Sequence, residues 1–265
     1  MPIIDAIVTA GGIPKPKDPL YALTQGKPKA LLPIGGQPMV QWVLDALGGA
    51  QTIRRVVVVG LSQEDVPLHC RKTLGWVPNQ GSMIDNITAG GKWVLGQDAG
   101  AKHALVVSAD IPTITPQIVD WDVETALQTN HEVYYCLIPQ AVMERRFPGS
   151  KRSYSRLKDG TFTGGDMTLI ETAVASAYHP AWREIIASRK NVFKQARLVG
   201  LDTLFLLATR QLTVAAAEQT AGRRLHIRGR VLISPYAEVG MDVDKPAQYE
   251  LVKHDLESRA GRGPA

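Results

Sequence analysis

Three short stretches of this 265-residue chain combine residue types suited to phosphate and metal chemistry. The first is a glycine-lysine segment: Thr9-Ala10-Gly11-Gly12-Ile13, then Lys15 and Lys17, then Lys27-Pro28-Lys29-Ala30-Leu31-Leu32-Pro33. Glycines let backbone N–H groups approach a polyphosphate without side-chain obstruction. Lysines in the same loop can neutralise it as point charges. The plainer alternative is a tight strand-to-helix turn and solvated surface lysines. The second stretch, Val106-Val107-Ser108-Ala109-Asp110-Ile111-Pro112, places a carboxylate just past an apolar run. The third, Met241-Asp242-Val243-Asp244-Lys245-Pro246, carries two acids two residues apart, hence on one side of an extended chain. Magnesium binds through one or two carboxylates plus substrate phosphates rather than in a closed protein cage. Asp110, Asp244 and, as a fallback, Asp242 are therefore candidate ligands. The alternative is structural: Asp110 capping the next turn, and Asp244 capping a helix with Pro246 in its first turn.

These stretches need elements to hold them. Residues 3–10 are an apolar run stopped by Gly11-Gly12, and residues 55–60, 104–109 and 133–138 are similar short runs, all suited to buried parallel strands. Between them, residues 38–47, 82–97 and 116–129 read as helices. The first ends at Gly48-Gly49, the second is weakened by Gly90-Gly91, and the third follows Thr115 as an N-cap. This rhythm predicts an α/β fold with a doubly wound, mostly parallel sheet. In such a sheet ligands bind beyond the carboxyl ends of the strands, where Gly11-Gly12 and Asp110 would both lie.

After Pro139 the pattern changes. Residues 144–168 are rich in Arg, Lys, Gly, Ser and Thr, with a turn at Lys158-Asp159-Gly160. This composition predicts an acceptor-binding segment that is mobile in the free protein. Residues 181–220 read as helices, 230–234 as a strand and 246–256 as a last helix. The expected organisation is one domain over residues 1–256, with an insertion at about 140–225 and a disordered tail over 257–265.

Composition narrows the classes. The chain is 45% hydrophobic and 21% charged, with no apolar run long enough to span a bilayer and no signal-peptide pattern at its start. Cys70 and Cys136 stand far apart outside metal-ligand spacing, as thiols of a cytoplasmic protein would. The net charge of +5 suits an anionic partner, but no helix carries a dense basic stripe, so neither nucleic acid nor membrane is expected as a partner. A dinucleotide-dependent dehydrogenase is disfavoured, because the first turn lacks Gly-x-Gly-x-x-Gly and no acid ends the strand at Gly60.

The run Ala10-Gly11-Gly12 through Lys27-Pro-Lys-Ala-Leu-Leu-Pro-Ile-Gly-Gly-Gln-Pro-Met39 resembles the opening of the sugar-phosphate and molybdenum-cofactor-type nucleotidyltransferases, the MobA-like NTP transferases. The resemblance covers about residues 1–140 and 230–256 and implies a Rossmann-like nucleotide-diphospho-sugar transferase architecture. It implies that Ala10, Gly11 and Gly12 hold the nucleotide, that Lys29 grips its phosphates, and that Asp110, in an Asp-x-Pro motif, binds Mg2+. Lys29 and Asp110 would be the catalytic pair, with Asp244 completing the metal site. Asn79-Gln80-Gly81-Ser82-Met83 is similar to the family turn that touches base or ribose, which makes Gly81 and Ser82 nucleotide-binding candidates. Phe162-Thr163-Gly164-Gly165-Asp166 resembles an acceptor-side element of some members; its alternative reading is a β-bulge or hairpin turn.

One departure stands out. Where the family loop continues with a further glycine or serine and an arginine, this chain reads Ile13-Pro14-Lys15-Pro16-Lys17-Asp18. Lys15 or Lys17 would supply the missing charge. The activity implied is transfer of an NMP unit from an NTP to a phosphorylated small-molecule acceptor, with release of pyrophosphate. The alternative is a non-catalytic nucleotide- or sugar-phosphate-binding relative.

Overall fold

A computed structural model describes residues 2–64, 67–177, 205–206 and 208–260. In chain order the first half runs β1 (Ile4–Thr9), α1 (Tyr21–Thr24), β2 (Pro33–Ile34), β3 (Gln37–Pro38), α2 (Met39–Gly49), β4 (Ile53–Val59), β5 (Thr73–Val77), α3 (Met83–Gln97), β6 (His103–Ser108) and α4 (Pro116–Ala126). The second half runs β7 (Val133–Pro139), α5 (Gln140–Arg146), β8 (Ser155–Leu157), β9 (Gly160–Glu171), α6 (Thr172–Ser176), α7 (Val214–Leu225), β10 (Gly229–Ile233) and α8 (Pro246–Ala260).

The main sheet has the order β10-β7-β9-β6-β1-β4-β5, with β8 on β9. β4 and β6 flank β1 in parallel, β5 continues parallel to β4, and β10 is parallel to β7. The central strands are buried on both faces, which is why they read as unbroken apolar runs. Alternate residues feed two layers. Ala6, Val8, Val56, Val58, Leu105 and Val107 pack towards α2 and α4, whereas Ile7, Val57, Val59, Ala104 and Val106 pack on the other side with Val94 of α3 and Ala175 of α6.

The expected doubly wound, mostly parallel sheet is present. The strands and helices predicted in the first half all occur, with ends shifted by at most three residues. Gly90-Gly91 do not interrupt α3: a Cβ at Gly90 would come within 2.4 Å of Ile7, so the missing side chain lets the helix lie close on β1. Among the main-sheet strands of the first half, one escapes the sequence reading. β5 is a short, half-exposed edge strand interrupted by Gly75, where a Cβ would meet Trp93 at 2.2 Å.

The second half differs more. β9 lies within the range expected as an insertion, yet it runs antiparallel between β6 and β7 in the middle of the sheet. Its register against β7 slips between Tyr135 and Leu137, because Tyr135 pairs with Thr168 and Leu137 with Gly164. The extra residues of the bulge fall at 165–167. From Ser155 onward the basic segment is strand apart from the turn at Lys158-Asp159, and the backbone of β9, bonded on both sides, resists the local opening expected of a mobile loop. Helix α8 extends to Ala260, into the stretch expected to be a disordered tail. Most of the block 181–220 and residues 261–265 lie outside the described residues; of that block, residues 214–220 are helical, in α7. No helix among the described residues is long and apolar enough to cross a membrane.

Candidate functional site

The carboxyl ends of β1 and β6 open onto a cavity of about 330 Å3. Its floor is the first turn after β1. Ala10 N–H donates to the Val59 carbonyl at 2.8 Å and Ala109 N–H to the Thr9 carbonyl at 3.2 Å, so this turn is tied to the strand ends on both sides. Gly60, at φ 110°, passes directly against it: a Cβ there would lie 2.3 Å from the backbone of Gly11. Asn79, Gly81 and Ser82 form the opposite wall. Ser82 is the N-cap of α3, its hydroxyl oxygen accepting from Asp85 N–H at 3.2 Å.

Lys29 is brought to the cavity by a 3-10 turn over Lys29–Leu31, and its backbone N–H donates to the Gly12 carbonyl at 2.8 Å. The following β2–β3 ribbon reverses at Gly35 and Gly36, both at positive φ, where side chains other than glycine are strained. It leads directly into α2, whose Trp42 indole donates to the Ile34 carbonyl at 2.9 Å. Lys29 is therefore held on one side by its bond to Gly12 and on the other by the ribbon that leads into α2.

The two predicted metal-ligand segments meet here. Asp110 follows β6, and its carbonyl accepts from Val243 N–H at 3.0 Å, which pins the 241–244 loop beside it. The Lys29 ammonium stands between the two acids, 2.5 Å from Asp110 Oδ2 and 2.6 Å from Asp244 Oδ1. Two oxygens that touch one nitrogen lie no farther apart than those two lengths end to end. That upper bound exceeds by only about 1 Å the roughly 4 Å that two opposite ligands span around magnesium at ~2.1 Å. The Ser108 hydroxyl donates to the other Asp110 oxygen at 2.5 Å. Asp244 N–H donates to the Gln248 side chain at 2.9 Å, so the loop is held by α8 while the Asp244 carboxylate turns to Lys29.

Charge and burial oppose each other at this point. Burial alone would lower the Lys29 pKa, but the charges of Asp110 and then Asp244 outweigh it and raise it. Burial pushes Asp244 up, while Lys29, Arg152 and Lys245 bring it below the ordinary carboxylate range. Asp166 joins the same cluster. Burial and the Asp110 charge push its carboxyl up to about 7, and its buried Oδ2 has no hydrogen-bond partner. The bulge in β9 explains its presence, since bulges re-aim side chains near active sites.

The donors suit a hard divalent cation: oxygens only, two carboxylates already converging on one positive charge, and a third buried carboxylate oxygen unpartnered. Among the described residues no group of three or more His, Cys, Asp or Glu forms a ready-made metal centre. Asp110 and Asp244 could still hold one divalent cation, with water and phosphates as its remaining ligands. Asp242 is differently placed. It is ion-paired with Arg152, which makes it a partner of that guanidinium rather than of Lys29.

The structure brings together Ala10, Gly11, Gly12, Lys29, Gly81, Ser82 and Asp110 on one cavity, with Asp244 and Asp166 adjoining. Lys15 and Lys17 lie apart from that lining as exposed loop residues. Of the expected acceptor residues, Thr163 is buried in β9, Gly164 gives room to the Tyr135 hydroxyl, and Gly165 packs against Val239 and Cys136. Here the bulge reading of Thr163-Gly164-Gly165 accounts for the glycines through packing. Sequence reasoning passed over Asn79, Asn86, Ser108 and Arg152. Asn79 stood inside a motif already singled out, whereas Arg152 had no local signal.

The MobA-like NTP transferase domain family matches residues 7–190. A hypothetical transferase from Thermus thermophilus is 35% identical, with a TM-score of 0.81 over 93% of this chain and 99% of that one. Two less similar solved structures share the fold. A CMP:2-keto-3-deoxy-manno-octonic acid synthetase complexed with CTP is 15% identical, at a TM-score of 0.59 over 97% of this chain and 99% of that one. A 4-diphosphocytidyl-2C-methyl-D-erythritol synthase from Anaerococcus prevotii is 12% identical, at 0.56 over 97% and 96%. Among curated proteins none matches the sequence. With more than half its length matched by the family and its motifs assembled on one cavity, the chain belongs to the MobA-like NTP transferases and is a nucleotidyltransferase.

Proposed function

We propose that this enzyme transfers an NMP unit from an NTP to a phosphorylated small-molecule acceptor and releases pyrophosphate. The observation that carries the reading is the convergence of Asp110 and Asp244 on one cation beside the glycine turn. The triphosphate would lie over Ala10, Gly11 and Gly12, with Lys29 leaving its two carboxylates to contact the phosphates. Gly81 and Ser82 would face the nucleoside. Asp110 and Asp244 would hold magnesium, which when bound neutralises charge on the phosphates.

An oxygen of the acceptor phosphate would then attack the α-phosphorus in line. The new P–O bond forms as the α–β bridging P–O bond breaks, and pyrophosphate leaves. No covalent protein intermediate is required, and positioning and charge supply the acceleration. On this reading Asp166, which feels the charges of Asp110 and Asp244, would orient the acceptor, and Lys15 and Lys17 would neutralise the outer phosphates. The free thiols Cys70 and Cys136 support a cytoplasmic setting. Pyrophosphate release measured across a panel of NTPs and phosphorylated acceptors, with and without magnesium, tests the proposal. Tight nucleotide binding without release for any pair would instead indicate a binding protein.

A further inference from the structure

Two asparagine side chains link the two halves of the nucleotide cavity. Asn79 Nδ2 donates to the Gly11 carbonyl at 3.0 Å, while its Oδ1 accepts from Gly81 N–H at 3.0 Å and from Asn86 Nδ2 at 3.2 Å. Asn86, on α3 and 4% exposed, accepts from Gln80 N–H at 2.7 Å. One amide thus bonds both the phosphate-side turn and the nucleoside-side turn, and a second, buried amide holds the first.

Packing makes the link stiff. A Cβ on Gly11 would lie 2.7 Å from both Asn79 Oδ1 and Asn86 Nδ2, and Gly60 closes the other side of Gly11. The glycine turn is therefore gripped between the backbone at Gly60 and the amide pair. Backbone N–H groups bind phosphate well only when their direction is fixed beforehand. A free Gly11-Gly12 turn would lose that direction, because glycine has the largest backbone freedom to lose.

We infer that Asn79 and Asn86 are positioning residues that set the phosphate-binding turn from the nucleoside-side turn, so that both respond together when a nucleotide enters. The inference rests on the nucleotide reading of the cavity. It differs from a simple base contact, because the Asn79 bond to Gly11 serves a ligand that has no base at all.

Binding of magnesium tripolyphosphate, which carries neither base nor ribose, separates the two. It is measured by calorimetry beside a magnesium NTP for the wild type, Asn79→Ala, Asn86→Ala and the double variant. The expected result is about tenfold weaker binding of both ligands in each single variant, because the turn no longer has its direction fixed beforehand. The double variant should be little worse than the weaker single one, because both act through one unit. The unfolding midpoint of Asn79→Ala should stay close to the wild type and the acceptor KM should not move. Unchanged tripolyphosphate binding in Asn79→Ala, with NTP binding alone weakened, overturns the inference in favour of a direct nucleoside contact. Asn79 is exposed, so its variant decides the matter even if Asn86→Ala fails to fold. A wild-type protein that binds neither ligand removes the nucleotide reading itself, and the clamp with it.

Discussion

Lys29 and Asp244 stand 215 residues apart in the chain and meet at 2.6 Å, with Asp110 on the other side of the same ammonium. This lysine holds together two carboxylates that would otherwise repel each other at close range in a half-buried site. Any ligand that takes the lysine away must supply positive charge in its place. A magnesium-bound triphosphate does both.

Lys29→Ala should therefore show two effects. Turnover should fall by about tenfold to 150-fold, corresponding to roughly 1.5–3 kcal/mol for a lost charge-assisted phosphate contact. Without nucleotide, magnesium should also raise the unfolding midpoint of the variant more than that of the wild type, because the bare Asp110–Asp244 pair gains a cation. Kinetics of pyrophosphate release and a magnesium titration of thermal stability check the two parts separately. Near-normal activity, or no added response to magnesium, would contradict this role.

Asp110→Asn and Asp244→Asn should each remove most activity, because each leaves a single carboxylate facing the cation. The double variant should lose much less than the product of the two effects, since one unit is disabled either way. Asp242→Asn should act differently. It frees Arg152 from its ion pair, so stability should suffer more than magnesium dependence does. Comparing the magnesium concentration for half-maximal rate among the three variants tests the distinction. A shift in Asp242→Asn as large as in the other two would place that carboxylate on the metal after all.

The glycine turn, Lys29, Asp110 and Asp244 could be singled out because each sits at a fixed step beyond a strand or before a helix, and the family resemblance marks such steps. β5 was not, because an edge strand exposed on one side carries no long apolar run. Asp166 was assigned to the acceptor from its neighbours Thr163-Gly164-Gly165. Only the slipped register against β7 shows why it reaches the Asp110 cluster. That slip depends on which strands become neighbours, which lies outside local sequence. Asn86 and Arg152 escaped for the same reason: each gains its role from a partner elsewhere in the chain.

The opposite end of the sheet gives a pH prediction. His103, 6% exposed at the start of β6, has its ring Nε2 3.2 Å from the His131 carbonyl. Burial lowers its pKa from the ordinary value of 6.5, ahead of smaller opposing effects from that carbonyl and from Glu171. A histidine with a depressed folded pKa contributes stability above its unfolded pKa, and this is lost as pH falls through the folded value. Between about pH 7 and pH 5 the wild type should lose thermal stability. His103→Gln should show a shallower dependence over that window, whatever its absolute midpoint. Parallel curves for the two proteins would show that His103 does not set the slope.

Gly60 offers the sharpest steric test of the cavity floor. Its φ of 110° is open to glycine and strained for other residues, and an added Cβ would meet Gly11 N and Cα at 2.3 Å. Backbone rather than a flexible side chain stands in the way, so Gly60→Ala must shift the turn that carries Gly11. Conformational strain alone costs about 1–3 kcal/mol, and the displaced turn adds to it. Gly96→Ala makes the control. That glycine lies inside α3 with nothing within 4 Å of an added Cβ, so alanine there should stabilise by roughly 0.5–1 kcal/mol through helix propensity. Gly60→Ala should unfold earlier and bind magnesium-NTP markedly more weakly, while Gly96→Ala should unfold later and bind unchanged. Thermal unfolding and calorimetry on both variants read the comparison. A Gly60→Ala protein with wild-type nucleotide affinity would mean that the Gly11 turn tolerates displacement, and that its backbone does not need to be held where the structure holds it.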